Sequence, residues 1–185
     1  VRNPQALARI LIEEPITFWD SAPIALDQCV PYLEGQRAQA LRLVFLSGDW
    51  VPVALPDRIR ACSNAKVVAL GGATEAVIWS NWHPVETVAP GQTSIPYGRP
   101  IQNARYHILD QRLEPVPVGV AGDLFIAGDV LADGYFGDAA LSAERFIADP
   151  FRAPGHRMYR TGDRARYFAD GSMEFLGRLD NQVKI

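Results

Sequence analysis

Cysteine occurs only twice in the 185 residues, at Cys29 and Cys62, and no short Cys or His spacing surrounds either. That argues against a zinc site and predicts two buried free thiols in a cytoplasmic protein. Lysine is as scarce: Lys66 and Lys184 are the only two, every other basic residue being arginine, and no mechanism follows from the bias. No apolar run approaches the ~18 residues a spanning helix needs, so no membrane partner is expected. A net charge of -3 supplies no basic patch for nucleic acid. The opening VRNPQALARI lacks the charged-then-apolar pattern of a secretory signal and lacks an initiating Met, so the chain is expected to have been cut from something longer. Internal repeats and low-complexity tracts are absent too.

What is present is an ordinary globular composition, 48% hydrophobic and 21% charged, enough for a sizeable core. Residues 1–90 alternate between helix and strand patterns. Asn3 before Pro4 starts a helix carrying Leu7, Ile10 and Leu11 at helical spacing. Strands are predicted at 16–19, 41–46 and 65–70, a helical turn or two at 56–61, and a helix capped by Ser21 that Pro31 and Gly35 close. Strands this apolar on both faces fit a mostly parallel sheet flanked by helices.

After Pro90, Gly and Pro recur every few residues, with short alternating strands between them at 105–109, 123–127, 157–161, 164–168 and 172–176. Ala169-Asp170-Gly171 marks a hairpin, and a helix over 139–147 begins near Asp138 or Ser142. This half reads as a small antiparallel barrel or bent sheet. The fold class is therefore α/β: an α/β subdomain over 1–90, a β-rich barrel-like subdomain over 91–177, and a terminal segment over 178–185.

Four segments could carry chemistry. Gly71-Gly72-Ala73-Thr74-Glu75 follows a buried strand, where α/β ligands collect: the glycines admit a ligand close to the backbone, Thr74 can donate to a phosphate oxygen, and Glu75 suits Mg²⁺. A plain turn with Thr74 capping a helix is the alternative. In Tyr159-Arg160-Thr161-Gly162-Asp163, a carboxylate held at a turn could accept both hydroxyls of a ribose, or simply close an Asx-turn. The glycine-bounded 122–128 reads as a structural strand, and 177–185 as a charged turn or exposed linker.

Together and in this order the segments resemble the adenylate-forming superfamily, and within it the adenylation domains of nonribosomal peptide synthetases. GGATEA corresponds to the motif YGPTE, GDLFIAGDVLADGYFGD to GELxIxGxxLARGY, YRTGD to the ribose motif letter for letter, and GRLDNQVKI to GRxDxQVKIRG. AERFIADPF and YFADGSMEFLGR are similar to the stretches between them, so the resemblance covers 16–185.

The resemblance implies roles. Gly71, Gly72, Ala73 and Thr74 would bind ATP or AMP, with Thr74 at the α-phosphate and Glu75 on Mg²⁺; Asp163 would hold the ribose and Arg178 the ribose or phosphate. Asp180 would be the hinge to a C-terminal subdomain, and Lys184 would act near the second half-reaction. The side-chain pocket would take Asp20, Phe45, Ser47, Leu70, Ile78 and Trp79, leaving little volume and favouring cysteine, then serine or 2,3-diaminopropionate, then glycine. The product would be an aminoacyl-adenylate, passed to the phosphopantetheine thiol of a carrier protein among neighbouring synthetase domains, in secondary metabolism. An acyl- or aryl-CoA synthetase relative and a non-catalytic scaffold half-domain are the alternatives.

Departures are visible. The motif's aromatic is Gly71 here, so adenine stacking must come from elsewhere; its Pro is Ala73, and Asp123 and Asp133 replace a Glu and an Arg of the next motif. LSGDW (46–50) together with GGATEA (71–76) resembles one sub-branch. The family's phosphate loop, the segment holding the Asp for the substrate ammonium, and the C-terminal subdomain with its catalytic Lys are not in this sequence. The isolated fragment is therefore expected to be inactive, and a tailoring domain inserted after Ile185 is one reason the motif would stop there.

Overall fold

The computed structural model describes residues 2–178. They divide into two compact units, one of Val1–Leu70 with His83–Ile95, the other of Gly71–Trp82 with Pro96–Ile185. The second unit thus takes in the Gly-Gly segment, which the sequence pattern had grouped with the first ninety residues.

In the first unit, helix α1 (Pro4–Glu13) begins where Asn3 Oδ1 accepts the Ala6 N–H at 2.9 Å, with Pro4 in the first turn. Strands β1 (Phe18–Ser21), β2 (Leu43–Leu46) and β3 (Lys66–Gly71) follow, and β1–β2 and β2–β3 both pair parallel. Helices α2 (Pro23–Asp27) and α3 (Leu55–Cys62) and a 3₁₀ turn (Val30–Tyr32) connect them. Side chains alternate across a strand, so Val44, Leu46, Val67 and Ala69 share the buried face, packed with Leu26, Leu55, Ile59 and both cysteines. The expected Ser21 cap does not form. Its hydroxyl accepts from Trp19 Nε1 at 2.7 Å and donates to the Ala22 carbonyl at 2.9 Å, and Pro23 opens α2 instead.

In the second unit, β4 (Asn81–Pro84), whose last two residues belong to the first unit, pairs antiparallel with β5 (Arg99–Pro100) through Asn81 and Trp82. The larger sheet holds β6 (Ala104–Leu109), β7 (Gly122–Gly128), β9 (Arg157–Tyr167) and β10 (Met173–Arg178) in the order β10-β9-β7-β6, all antiparallel, and β8 (Phe146–Ala148) adds to β9. Leu124 and Ile126 face one cluster with Tyr106, Ile108, Ala165 and Met173; Phe125 and Ala127 face another with Leu109 and Met158. Burial on both faces explains why β7 is apolar along its length. Helix α4 (Ala139–Arg145) is capped by Asp138, not Ser142, through the Leu141 N–H at 2.9 Å.

Two strands expected at 157–161 and 164–168 are one. Gly162, at φ 80°, lets β9 continue through a bend that a side chain would strain. Asp163 consequently lies within a strand and not at a turn. The 169–171 hairpin is as expected, with Asp170 Oδ1 accepting the Ser172 N–H at 2.9 Å and its hydroxyl at 2.7 Å. No described helix is long and apolar enough to cross a membrane.

Candidate functional site

Chain direction reverses at the end of β3, where Gly71 and Gly72 lead into a turn closed by the Ala76 N–H on the Ala73 carbonyl at 2.9 Å. No helix follows, so Thr74 is not a helix cap; it stands exposed at the tip of the turn. Both glycines are required by packing. A Cβ on Gly72 would stand 2.8 Å from Ser80 N and from Ser80 Oγ, and one on Gly71 would stand 2.8 Å from Cζ of Tyr97. Ser80 closes the loop from the far side, its N–H donating to the Gly71 carbonyl at 2.9 Å. Within the loop Val77 is held at φ 64°, a left-handed conformation that a β-branched residue adopts only under constraint.

Glu75 is half-buried, and the loop aims it at two phenols. Tyr135 donates to its Oε1 at 2.6 Å, and the Tyr135 and Tyr159 hydroxyls are 3.4 Å apart. Its own carbonyl accepts the Ala132 N–H at 2.8 Å. Burial alone would push the carboxyl up. Hydrogen bonds from Tyr135, from its own backbone N–H and from Tyr159, with Arg145 nearby, outweigh burial and hold it below the ordinary carboxylate range. Glu75 is therefore an anion at neutral pH. Burial and the Glu75 contact push Tyr135 up, and burial with hydrogen bonds to Tyr135 and Glu75 does the same to Tyr159. Both phenols stay protonated.

Asp163 and Arg178 stand opposite each other in the β9–β10 register, and the guanidinium Nη1 donates to Asp163 Oδ1 at 3.1 Å. The Asp163 N–H donates to Thr161 Oγ1 at 3.0 Å, and that hydroxyl donates to the Leu124 carbonyl at 2.8 Å, so the carboxylate is set on the sheet rather than on a loop. Its charge reaches the Tyr97 and Tyr106 phenols. Burial first, then Tyr106 and Asp163, hold Tyr97 far above the ordinary phenol range; burial and Asp163 likewise raise Tyr106 against its hydrogen bonds with Ser80 and Tyr97. The second unit thus holds the Gly71–Glu75 loop, Asp163 and Arg178 together with the half-buried Tyr97 and the buried Tyr106.

Sequence reasoning singled out the loop, Asp163 and Arg178 but not Tyr97, Tyr106, Ser80 or Tyr135. Tyr159 and Tyr135 sit inside quoted motifs, YRTGD and ADGYFGD, and were the legible signal. For Tyr97 the signal was indirect, a glycine standing where a ring was expected.

The expected pocket residues divide between the units. In the first, Asp20 stands opposite Phe45, Phe45 opposite Val68, and Leu70 two residues further along β3, so Asp20, Phe45 and Leu70 share the face turned from the core. The Phe18 and Phe45 rings meet edge-on on that face at 5.1 Å. Ser47 follows the end of β2, its N–H on the Ser21 carbonyl at 3.1 Å. Asp20 is exposed on that face. In the second unit Ile78 is 74% exposed and Trp79 half-buried. Asp180 and Lys184 lie outside the described residues.

The second unit thus holds a half-buried, ionised carboxylate beside a glycine turn and a second carboxylate fixed to an arginine on a sheet. The sequence profile of the AMP-binding enzymes matches residues 1–136. The chain belongs to the AMP-binding enzyme family. Its relatives include nonribosomal peptide synthetases. It is 46% identical over 187 residues to pyochelin synthetase PchE of Pseudomonas aeruginosa, covering 100% of this chain and 13% of that protein. It is 42% identical over 185 residues to a dimodular nonribosomal peptide synthase of Bacillus subtilis, covering 100% of this chain and 8% of that protein. The solved nonribosomal peptide synthetase FmoA3, in its form bound to alpha-methyl-L-serine-AMP, superposes with a TM-score of 0.89 at 42% identity, over 97% of this chain and 21% of that one. This AMP-binding segment is part of an adenylation domain of the nonribosomal peptide synthetase type, and it spans a small share of the length of the relatives it matches.

Proposed function

We propose that the complete domain activates a small polar amino acid as its aminoacyl-adenylate. The observation that carries this reading is that Glu75 and Asp163, two carboxylates with different partners, belong to the same unit as the glycine turn. Asp163, fixed by Arg178, suits the ribose diol; charge-assisted bonds of this kind are the stronger ones. Thr74 at the turn tip suits the α-phosphate. Mg²⁺ fits as a shared ion, held by Glu75 together with nucleotide phosphates and water, since Mg²⁺ takes one or two carboxylates more readily than a protein cage.

In the reaction, an oxygen of the substrate carboxylate attacks the α-phosphorus of ATP, the bond to the bridging oxygen breaks, and pyrophosphate leaves with the electron pair. Little covalent chemistry is asked of the side chains. Positioning and neutralisation of the growing charge supply the rate, and Mg²⁺ would add Lewis-acid neutralisation at the phosphates. A carrier-protein phosphopantetheine thiol then attacks the acyl carbon, the bond to the phosphate oxygen breaks, and AMP leaves as the thioester forms, with Asp180 as the hinge and Lys184 next in the same segment. An enzyme that spends ATP this way works in the cytoplasm.

For the substrate, cysteine ranks first, serine or 2,3-diaminopropionate second and glycine third. Phe45 and Leu70 on one sheet face, with Ser47 and Asp20 at its edge, support a narrow, partly polar pocket. The α-methyl-L-serine adenylate held by FmoA3 supports a small polar side chain. ATP–pyrophosphate exchange by the complete enzyme over an amino-acid panel tests the reading. Preference for Phe, Leu or Trp over every small polar residue would overturn it.

A further inference from the structure

Gly71 and Tyr97 make an unusual contact. A Cβ built on Gly71 would stand 2.8 Å from Tyr97 Cζ, nearer still to Cε2, and 2.7 Å from Asn81 Oδ1, so the phenol ring, with the Asn81 amide beside it, fills the space into which any side chain at 71 would grow. Tyr97 is pinned on several sides. Its N–H donates to the Met173 carbonyl at 2.7 Å, its carbonyl accepts from Asn81 Nδ2, and its ring lies 5.7 Å from Phe175 and 6.3 Å, edge-on, from Tyr106. Its phenol lies near the Gly72 backbone and near Tyr106, whose own hydroxyl is 2.6 Å from Ser80 Oγ. Ser80 in turn holds the Gly71 carbonyl. Gly71, Tyr97, Tyr106 and Ser80 thus form one cluster at the glycine turn, with the Asp163 carboxylate near both phenols.

We propose that Gly71 and Tyr97 are a reciprocal pair: the ring of Tyr97 replaces the side chain Gly71 lacks, and its hydroxyl ties the glycine turn to the Asp163 side of the site, making Tyr97 a positioning residue for the nucleotide. The proposal rests on the nucleotide reading of Asp163 given above. Two features of the geometry set it apart from plain core packing. The space over Gly71 can be filled from position 71 or from position 97, but not from both. And this ring stands directly against the backbone of the turn that would hold the phosphates, with its phenol within reach of the Asp163 charge.

The test uses the complete enzyme and four variants beside Asp163→Ala. Tyr97→Ile is expected to raise the KM for ATP about tenfold while the KM for the amino acid moves less than about twofold, the size expected for one lost ordering contact. Tyr97→Phe, which keeps the ring and should fold normally, is expected to give a smaller rise in the same constant. Gly71→Tyr alone places two rings in one volume and should lower both Tm and ATP affinity. Gly71→Tyr combined with Tyr97→Ile should recover both, with the KM for ATP within about threefold of the unaltered enzyme. A double variant no better than the sum of its singles overturns the pairing. If Asp163→Ala weakens ATP while Tyr97→Ile and Tyr97→Phe leave its KM unchanged, Tyr97 is core packing and the positioning role falls, with the nucleotide reading intact. If Asp163→Ala itself leaves ATP unaffected, the nucleotide reading falls and takes this role with it.

Discussion

Arg178 donates through Nη1 to Asp163 Oδ1 at 3.1 Å, and its Nη2 reaches the Thr161 carbonyl at 3.4 Å. The two side chains retain only 28% and 15% exposure, so the pair is screened far less than a surface ion pair and holds the carboxylate in one orientation. A carboxylate oriented in advance loses less entropy when it takes a ligand.

Asp163→Ala in the complete enzyme should therefore raise the KM for ATP by about 10- to 100-fold, from roughly 1.5–3 kcal/mol per charge-assisted bond. Steady-state kinetics with ATP varied at saturating amino acid measure it. An unchanged KM would reduce Asp163 to a structural member of β9.

Tyr135→Phe removes the hydroxyl that helps keep Glu75 ionised. The folded carboxyl lies below its unfolded value, so the interaction stabilises above the ordinary carboxylate range and is lost as pH falls through the depressed folded value. The variant should thus be less stable than the unaltered enzyme at pH 7, by about 1 kcal/mol after allowing for partial exposure. The difference should vanish in strong acid. Urea unfolding at the two pH values checks this, and a gap that widens in acid would reverse the assignment.

Cys29 and Cys62 are buried free thiols, each pushed above its ordinary range chiefly by burial. Since the thiolate is the reactive form, both should resist iodoacetamide at neutral pH in the folded protein and react once it is unfolded. Mass spectrometry before and after denaturation reads this directly.

Val77 and Gly72 should respond oppositely to substitution. Val77 is 53% exposed at φ 64°, so Val77→Asn gives up little packing and relieves backbone strain; it should stabilise by about 1 kcal/mol. Gly72→Ala drives a Cβ into the backbone of Ser80 and should destabilise by about 1–3 kcal/mol. Thermal unfolding of both variants decides, and equal Tm values would contradict the packing argument.

Much of this protein was legible in its residues because the forces concerned are local. Asn3-Pro4 caps α1, the apolar runs 41–46 and 65–70 contain the strands of a parallel sheet, and Asp170-Gly171 turns the β9–β10 hairpin. Each depends on neighbours within a few positions. The adenylation-domain motifs were equally readable, since spacing along the chain carries them. What failed were inferences that needed a distant partner. Ser21 could cap α2 by its own chemistry, yet Trp19 claims its hydroxyl. Two strands merged because Gly162 tolerates a bend that neither half advertises.

The residues by themselves determined the elements, the family and which carboxylates to watch, because periodicity, capping and motif spacing are properties of short stretches. Only the tertiary structure decided what surrounds those groups. Glu75 is 60 positions from the Tyr135 that keeps it charged, and the ring covering Gly71 comes from Tyr97, on the far side of a strand and a loop. Such contacts are chosen by the packing of whole strands. The cost of leaving a buried polar group or a void unfilled is then met by whichever side chain the fold delivers, and no local pattern names it in advance.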